Sequence, residues 1–376
     1  MGRGEPLTKD FLHMAKSLKR APHTVIIAEA GVNHNGSITM ALKLVDAAAA
    51  AGADFVKFQT FKANKLASAL APKAAYQKQT TGVKQSQLEM LRALELSPAD
   101  HRALIAHCRK RKIAFLSTPF DGESLDFLVN KLGMTLLKLP SGELTNPILL
   151  LKAARTRLPV ILSTGMATLP EIEIALGVLA FGYLRTKGKP TRAAFKKAYA
   201  SPKGKSFLNK LVTLLHCTTE YPAPFEDVNL RAMDTMVEAF GLPVGYSDHT
   251  PGTSVSIAAV ARSAVLIEKH MTLDRTLPGP DHRASIEPDE FKAMVTAIRE
   301  IESALGDGRK ICRPSEAKNK TVARKSLVAA CCIARGEVFT AENITAKRPG
   351  NGRSVYDYWT LLGQRAKRSY SENDPL

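Results

Sequence analysis

The sequence predicts an α/β fold, a (β/α)8 TIM barrel, followed by a small β-rich C-terminal domain. From residue 24 onward, short apolar runs alternate with longer helical patterns, which is typical of βα units around a parallel sheet. Eight such units fit in about 250 residues, the usual length of a closed barrel, and the 376-residue chain leaves room for a second module. The predicted strands are residues 25–28, 55–58, 113–116, 135–139, 160–162, 211–215, 243–245 and 265–267.

Composition shifts divide the chain further. Residues 1–23 are predicted as an N-terminal extension and residues 24–305 as the barrel. Apolar periodicity is lost over residues 306–320, which include Pro314, so a linker is predicted there. Residues 321–376 carry short β-branched runs and turns and are predicted to form the β-rich domain. The strongly basic segment 182–206 separates the fifth and sixth units and is predicted to be a surface loop or helix.

The composition also narrows the classes of function. No apolar run reaches the roughly 18 residues of a membrane span, and the N-terminus lacks the order of a signal peptide, so a soluble cytoplasmic protein is expected. A formal net charge of +18 would attract a polyanion or steer a small anionic substrate. Because aromatic interleaving and known binding motifs are missing, nucleic acid is not expected as a partner. The five cysteines form no CxxC pair and are predicted to be reduced.

Polar side chains follow nearly every predicted strand. In a TIM barrel, residues just past the C-terminal ends of the strands assemble the active site. Lys57 and Lys138 lie inside apolar strands, and a buried lysine needs an anion beside it because an unpaired buried charge is costly. Hydroxyl groups at other strand ends add hydrogen-bond donors, so the set suits phosphate and carboxylate oxygens. These hydroxyls belong to Thr118, Ser141, Ser163 and Ser247.

Two histidines, His249 and His270, follow consecutive predicted strands, so their rings can converge on one metal ion at the barrel mouth. Neutral histidine is a common metal ligand, and a site with two histidines leaves positions for water and substrate. Two other interpretations stay open, namely a pair of hydrogen-bonded structural histidines and a general acid/base. Two histidines do not identify the metal.

Taken together, the motifs resemble those of the sialic acid synthase family. The matching segments read IAEAGVNHNG at 27–36, KFQT at 57–60, KLPSGE at 138–143, STGM at 163–166, HCT at 216–218, GYSDHT at 245–250, EKH at 268–270 and GPDH at 279–282. The similarity runs in order from about residue 24 to about residue 368. It implies a transferase that condenses phosphoenolpyruvate with N-acetylmannosamine and water to give N-acetylneuraminate and phosphate.

Two alternatives to that reaction remain. Legionaminate and pseudaminate synthases carry out the same chemistry on 2,4-diacetamido-6-deoxy sugars, and N,N'-diacetyllegionaminate or pseudaminate would then be the product. In a different class of function, the chain would be a non-catalytic barrel that binds polyanions through its charge of +18. The polar residues at nearly every strand end argue against this second alternative.

The resemblance also implies roles for individual residues. The family binds a divalent metal, usually Mn²⁺ with Mg²⁺ or Co²⁺ as other choices, and His249 and His270 match its ligand positions. Phosphoenolpyruvate falls on Lys57, Thr118, Lys138, Ser141, Ser163 and Ser247, and Thr219 stands where many members have asparagine. Positions near the sugar match Glu29, Gln59, Tyr221 and Asp281, and the reacting centre lies close to Glu143. The expected catalytic residues are Lys57, Lys138, Glu29 and Glu143, with either glutamate handling the attacking water.

The C-terminal segment resembles the antifreeze-like (SAF) domain of the same family. In that family the domain reaches across a homodimer and inserts an arginine into the partner's barrel. Arg348 of Arg348-Pro349-Gly350 matches this arginine. A domain-swapped homodimer with a shared active site is therefore expected.

Overall fold

The computed structural model describes residues 23–68, 70–74, 77–78 and 86–376. The chain divides into two compact units, the first ending at Leu305 and the second running from Gly306 to Leu376. In the first unit, eight parallel strands form one sheet in the order β3-β2-β1-β8-β7-β6-β5-β4, a nearly closed barrel. The predicted fold class is therefore confirmed. The strands are β1 (Val25–Gly31), β2 (Phe55–Thr60), β3 (Ala114–Pro119), β4 (Leu137–Leu139), β5 (Val160–Ser163), β6 (Val212–Cys217), β7 (Val244–Asp248) and β8 (Leu266–His270). Of the predicted N-terminal extension, residues 1–22 lie outside the described residues.

Helices follow the strands of the barrel along the chain. They are α1 (Ile38–Ala50), α2 (Ala63–Leu66), α3 (Gln87–Ala93), α4 (Pro98–Arg111), α5 (Gly122–Asp126), α6 (Pro147–Arg155), α7 (Leu169–Tyr183), α8 (Arg192–Ala200), α9 (Pro202–Leu211), α10 (Ala232–Phe240), α11 (Ser254–Ala261) and α12 (Pro288–Leu305). The basic segment predicted as a surface loop or helix contributes α8 and the start of α9, and its lysine and arginine side chains are exposed. Among the described helices, none combines the length and apolarity that a membrane crossing requires.

The barrel interior has an apolar layer below a polar one. The apolar layer includes Ile27, Phe55 and Leu266, all fully or almost fully buried. Side chains two positions apart on a strand point the same way. On each of these three strands, the next inward-pointing residue after the apolar one is polar. These polar residues are Glu29, Lys57 and Glu268. Strand periodicity therefore places the charged side chains at the C-terminal end of the barrel, where TIM-barrel active sites lie.

A buried ion pair joins β7 to β8 on the face opposite the polar layer. Lys269 Nζ lies 3.0 Å from Asp248 Oδ2, and both side chains are fully buried. The same lysine donates to the carbonyl of Thr250 at 2.6 Å. Asp248 also accepts hydrogen bonds from Thr250 and Ser256. The pair therefore has hydrogen-bond partners that offset its desolvation.

Lys269→Met is expected to lower the free energy of unfolding by about 3–5 kcal/mol, because Asp248 is left buried without its counter-charge. Urea unfolding followed by circular dichroism measures the change. Lys152→Met is the matched control: Lys152 lies 2.6 Å from Asp126, but the two side chains are 38% and 52% exposed. Such a surface pair contributes about 1 kcal/mol or less. Equal losses in the two variants would contradict the interpretation.

The loop after β1 contains a fully buried histidine, His34, whose Nδ1 accepts a hydrogen bond from the backbone N–H of Gly36 at 3.0 Å. Burial lowers the pKa of His34 from 6.5 to about 4. Between these pH values the unfolded chain binds a proton that the folded chain does not. The free energy of unfolding therefore falls as the pH falls through this window, by about 3 kcal/mol at its lower end.

His34→Gln removes this titration, so the variant is expected to lose less stability than the wild type between pH 7 and pH 4. Urea unfolding at several pH values compares the two slopes directly. The comparison isolates His34 because all other titrating groups are present in both proteins. Parallel slopes would show that His34 is not held neutral in the folded state.

The second unit contains a small antiparallel sheet, β9 (Ser326–Ala329) and β10 (Ile344–Lys347), with isolated bridges from other segments. Its own apolar core includes Leu327, Phe339 and Leu361. The segment predicted as a linker contributes much of helix α13 (Pro314–Ala323), which buries none of its side chains. Pro314 occupies the first turn of this helix, a position that proline favours. A short helix, α14 (Tyr358–Leu361), follows the sheet.

Candidate active site

A cavity of about 350 Å³ opens at the C-terminal ends of the barrel strands. Most of the predicted site residues line it: Glu29, Lys57, Gln59, Thr118, Lys138, Ser141, Ser163, Thr219, Tyr221, Ser247, His249, His270 and Asp281. Segments distant in sequence therefore converge on one site, as strand-end positions in a barrel predict. Among the predicted site residues of the first unit, Glu143 does not line the cavity, and Arg348 belongs to the second unit.

Four buried charged groups form the floor of the cavity. Lys57 Nζ lies 2.6 Å from Glu29 Oε2 and 3.6 Å from Glu268 Oε2. Lys138 Nζ lies 3.4 Å from Glu268 Oε1. All four side chains are at most 5% exposed. A buried lysine is expected to need an anion nearby. Glu29 and Glu268 supply part of this negative charge from within the protein.

The two glutamates have opposite pKa shifts. Burial raises the pKa of Glu29 to about 7, although Lys57 opposes the shift. Burial also raises the pKa of Glu268, but the charges of Lys138 and Lys57 outweigh it, so the net shift is downward. When Glu29 is protonated, the two lysines face one carboxylate, and the floor carries a net positive charge. Such a centre favours an anionic ligand.

Hydroxyl groups surround this charged floor. Lys57 Nζ donates to Thr118 Oγ1 at 3.1 Å, and Ser247 Oγ donates to Glu268 Oε1 at 2.9 Å. On the other side, Ser141 Oγ accepts from the backbone N–H of Gly165 at 3.0 Å. A side chain at Gly165 would collide with the hydroxyls of Ser141 and Thr219, so the close approach requires glycine. Thr219 Oγ1 is buried with no hydrogen-bond partner among the described residues.

The two predicted metal ligands lie side by side, with ring centroids 5.5 Å apart. Nδ1 of His249 lies 2.6 Å from the carbonyl oxygen of Thr218. Because a carbonyl can only accept, the proton is on Nδ1 and the lone pair on Nε2. Burial lowers the pKa of His249 to about 4, and burial together with His249 lowers that of His270. Both rings are therefore neutral at pH 7, the state that binds metals.

The histidine pair fits a divalent cation that has few protein ligands. Nδ1 of His270 is buried and has no hydrogen-bond partner among the described residues, although Asp281 Oδ2 lies 4.0 Å away. Within the part of the chain that the structure describes, no group of three or more histidine, cysteine or acidic side chains could hold a metal ion. Two histidines would leave the other coordination positions to water and substrate, and an open position is what a catalytic metal requires.

The side of the cavity next to the histidines is formed by an aromatic ring and an acid. The ring of Tyr221 lies 4.2 Å from that of His249, centroid to centroid. Asp281 is 7% exposed, and burial raises its pKa to about 6. Gln59 Nε2 donates to Glu29 Oε1 at 3.3 Å and so connects this side to the floor. These groups offer hydrogen bonds to a polar ligand above the charged floor.

Comparison with known proteins places the chain in a family. The NeuB family model matches residues 44–310, and the SAF domain matches residues 324–376. The chain belongs to the NeuB family. The resemblance predicted from the motifs is confirmed, and so is the SAF domain at the C-terminus.

Three similar proteins illustrate the range of this NeuB family. The N,N'-diacetyllegionaminic acid synthase of Campylobacter jejuni is 51% identical over 351 residues, which cover 93% of this chain and 98% of the relative. The enzyme of the same name from Legionella pneumophila is 43% identical and covers 93% and 92%. The crystal structure of N-acetylneuraminic acid synthetase from Leptospira borgpetersenii, in complex with citrate, aligns with a TM-score of 0.62 and 33% identity. That alignment covers 79% of this chain and 90% of the other.

Two predicted residues of this NeuB family member lie elsewhere. Glu143 is half-buried in a 3₁₀ turn after β4 and accepts a hydrogen bond from Asn146 Nδ2 at 2.6 Å. Its carboxylate therefore pairs with a residue at the start of α6 and does not line the cavity. Arg348 lies in the second unit, where its Nε donates to the carbonyl of Ala323 at 2.9 Å.

Sequence reasoning misses one central residue of the site, Glu268. The segment Glu268-Lys269-His270 ends the eighth strand, but only His270 is predicted as a site residue. Strand alternation is the available signal, because residues 266, 268 and 270 share the inner face of β8. By the same alternation Lys269 points outward, which agrees with its pairing to Asp248.

Proposed function

We propose that the chain is an N,N'-diacetyllegionaminic acid synthase, which condenses phosphoenolpyruvate with a 2,4-diacetamido-6-deoxy sugar and water and releases phosphate. The observation that carries the reaction class is the buried pair Lys57 and Lys138 beside two neutral histidines in one cavity. Two relatives that are 51% and 43% identical bear the name of this activity, whereas the N-acetylneuraminic acid synthetase structure is 33% identical. The comparisons therefore favour the legionaminate alternative over N-acetylneuraminate.

In this proposal the charged floor binds phosphoenolpyruvate. Lys57 and Lys138 balance its phosphate and carboxylate charges, and the hydroxyls of Thr118, Ser141 and Ser163 complete its hydrogen bonds. Preorganised cations in a buried site also stabilise charge that shifts toward the leaving phosphate. The burial of both lysines, each 3% exposed in the floor of the cavity, supports this assignment.

The sugar binds above the floor. His249 and His270 would hold a divalent cation, Mn²⁺ by preference with Mg²⁺ or Co²⁺ as other choices. When bound, such a cation polarises the carbonyl of the open-chain sugar as a Lewis acid. Tyr221, Asp281 and Gln59 line the same part of the cavity and orient the sugar hydroxyl and amide groups.

The reaction joins C3 of phosphoenolpyruvate to the aldehyde carbon of the sugar, water adds to C2, and phosphate leaves by cleavage of its C–O bond. One side chain must accept a proton from the attacking water. We assign this role to Glu29, because its carboxyl lines the cavity and has a pKa of about 7, near the operating pH of a general base. Glu143, the other predicted base, has no place in the cavity.

Phosphate release from phosphoenolpyruvate tests the function, with Mn²⁺ present and with N-acetylmannosamine compared against its 2,4-diacetamido-6-deoxy counterpart. Release with the diacetamido sugar, abolished by a chelator, is the expected result. Preference for N-acetylmannosamine would instead support the activity of an N-acetylneuraminate synthase. Release with neither sugar, together with nucleic-acid retention that falls steeply with salt, would favour a polyanion-binding barrel.

The site is completed by a second chain in this proposal, and the enzyme acts as a cytoplasmic homodimer. Arg348 of one chain would enter the barrel of the other. Arg348→Ala and Lys57→Met should each be strongly impaired alone, but mixing the two proteins should restore part of the activity, because a mixed dimer contains one intact site. No recovery after subunit exchange, checked by native mass spectrometry, would contradict the shared site.

A further inference from the structure

The cavity has an apolar side that the reaction chemistry does not require. It consists of six side chains, Val32, Leu66, Met90, Leu91, Leu94 and Phe120, which we call the apolar wall. Val32 follows β1, Phe120 follows β3, and the other members come from α2, α3 and the first residue beyond α3. In the described part of residues 61–94, every cavity-lining side chain is uncharged.

The apolar wall is packed from behind. Val32, Met90 and Leu94 are 5%, 4% and 7% exposed and form one cluster with Phe61. Phe61 meets Phe120 edge to face, with ring centroids 6.1 Å apart. The wall is therefore part of a small core and keeps its shape when a ligand enters.

Helix α3 holds two members of the wall in register. Ser86 and Glu89 form a capping box at its start, which fixes where the helix begins. Met90 and the residue after the helix, Leu94, are four positions apart and therefore lie on the same side. Both consequently pack in the cluster and line the cavity.

We propose that the apolar wall determines the specificity for the sugar by contacting the methyl groups at its distal end. The inference rests on the proposed function and concerns the same cavity. The 2,4-diacetamido-6-deoxy sugar differs from N-acetylmannosamine in having a methyl group at C6 and an acetamido group at C4. Burial of the sugar's methyl groups against the apolar wall favours binding, because apolar surface is removed from water. The C6 hydroxyl of N-acetylmannosamine would lose its water without a hydrogen bond in return.

An amide side chain lies beside the apolar wall. Gln87, in the first turn of α3, lines the cavity and carries both a donor and an acceptor. It suits the polar part of the second acetamido group while the wall contacts the methyl part. The combination matches a sugar with an added amide and a missing hydroxyl, which is the class that the proposed function names.

The test compares kcat/KM for the two sugars in the wild type and in Leu94→Asn. An asparagine in the wall offers hydrogen bonds to a hydroxyl and weakens contact with a methyl group. The ratio of kcat/KM, diacetamido sugar over N-acetylmannosamine, should fall by about 10- to 100-fold. The KM for phosphoenolpyruvate should not change, because its site lies on the charged floor.

Two further variants keep the test decisive. Phe61→Leu is the matched control, since Phe61 belongs to the same cluster but does not line the cavity; its ratio should equal that of the wild type. If circular dichroism shows that Leu94→Asn does not fold, Leu91→Asn replaces it, because Leu91 belongs to the same wall and is only half-buried.

The outcomes separate the two proposals. A wild type that prefers the diacetamido sugar, with a lower ratio in the wall variant only, supports the inference. The same preference with an unchanged ratio in the wall variant overturns the inference and leaves the proposed function intact. A wild type that prefers N-acetylmannosamine overturns both.

Discussion

Lys57→Met is expected to reduce kcat/KM for phosphoenolpyruvate by about 100- to 1,000-fold, the range found when one preorganised charge-stabilising group is removed from an active site. Lys57 is 3% exposed and contacts Glu29, Glu268 and Thr118 at once. The variant loses the positive charge that lies within 4 Å of both glutamates. An anionic substrate then meets Glu268 with only Lys138 to balance it.

The fold is expected to survive this replacement. Glu29 already has a pKa of about 7, so it can take up a proton when its partner is lost. Neutralisation removes most of the cost of burying that carboxyl group. Glu268 keeps Lys138 at 3.4 Å and the hydrogen bond from Ser247. The loss of activity should therefore exceed the loss of stability.

Phosphate release and thermal unfolding of the same preparations separate the two effects. Lys152→Met is again the matched control, because it removes a lysine from an ion pair that lies outside the cavity. It should keep the wild-type rate. A Lys57→Met enzyme with the wild-type kcat/KM would show that the charged floor is structural, and it would remove the main support for phosphoenolpyruvate binding.

Periodicity explains which parts of the site the sequence predicts. Apolar runs of three to five residues identify all eight strands, and alternation within them places Lys57 and Lys138 inside the barrel. The rule stops at the end of a strand. After β4 the chain enters a 3₁₀ turn with three residues per turn, so Ser141 lines the cavity while Glu143 does not.

Other features depend on contacts that a single sequence does not contain. The apolar wall brings together Val32, Phe120 and the α3 region, which lie far apart in the chain. The sequence around each of these residues is the same as that around an ordinary buried core residue, so it does not indicate a place in the cavity. Helix α13 is a second feature that the sequence does not predict. Pro314 and the loss of apolar periodicity indicate a linker, yet in the structure this proline starts a helix.

His270→Ala is expected to abolish Mn²⁺ binding and to reduce turnover by about 1,000-fold or more, because Lewis-acid polarisation of a carbonyl is worth several kcal/mol. The ring of His270 is buried, and its Nδ1 has no partner among the described residues. Removing it leaves His249 as the remaining histidine of the pair. One imidazole is too few to hold a labile divalent ion in competition with water.

Mn²⁺ binding measured by electron paramagnetic resonance gives a readout that does not depend on turnover. His216→Ala is the matched control: His216 also ends a strand, but its Nε2 lies 2.6 Å from the carbonyl of Val228, and it does not line the cavity. The control should bind Mn²⁺ as the wild type does. Because burial lowers the pKa of His249 to about 4, lowering the pH from 7.5 to 6 should change the wild-type affinity little. A His270→Ala enzyme that keeps the full rate in metal-free buffer would contradict the metal assignment and leave the histidines as structural or acid/base groups.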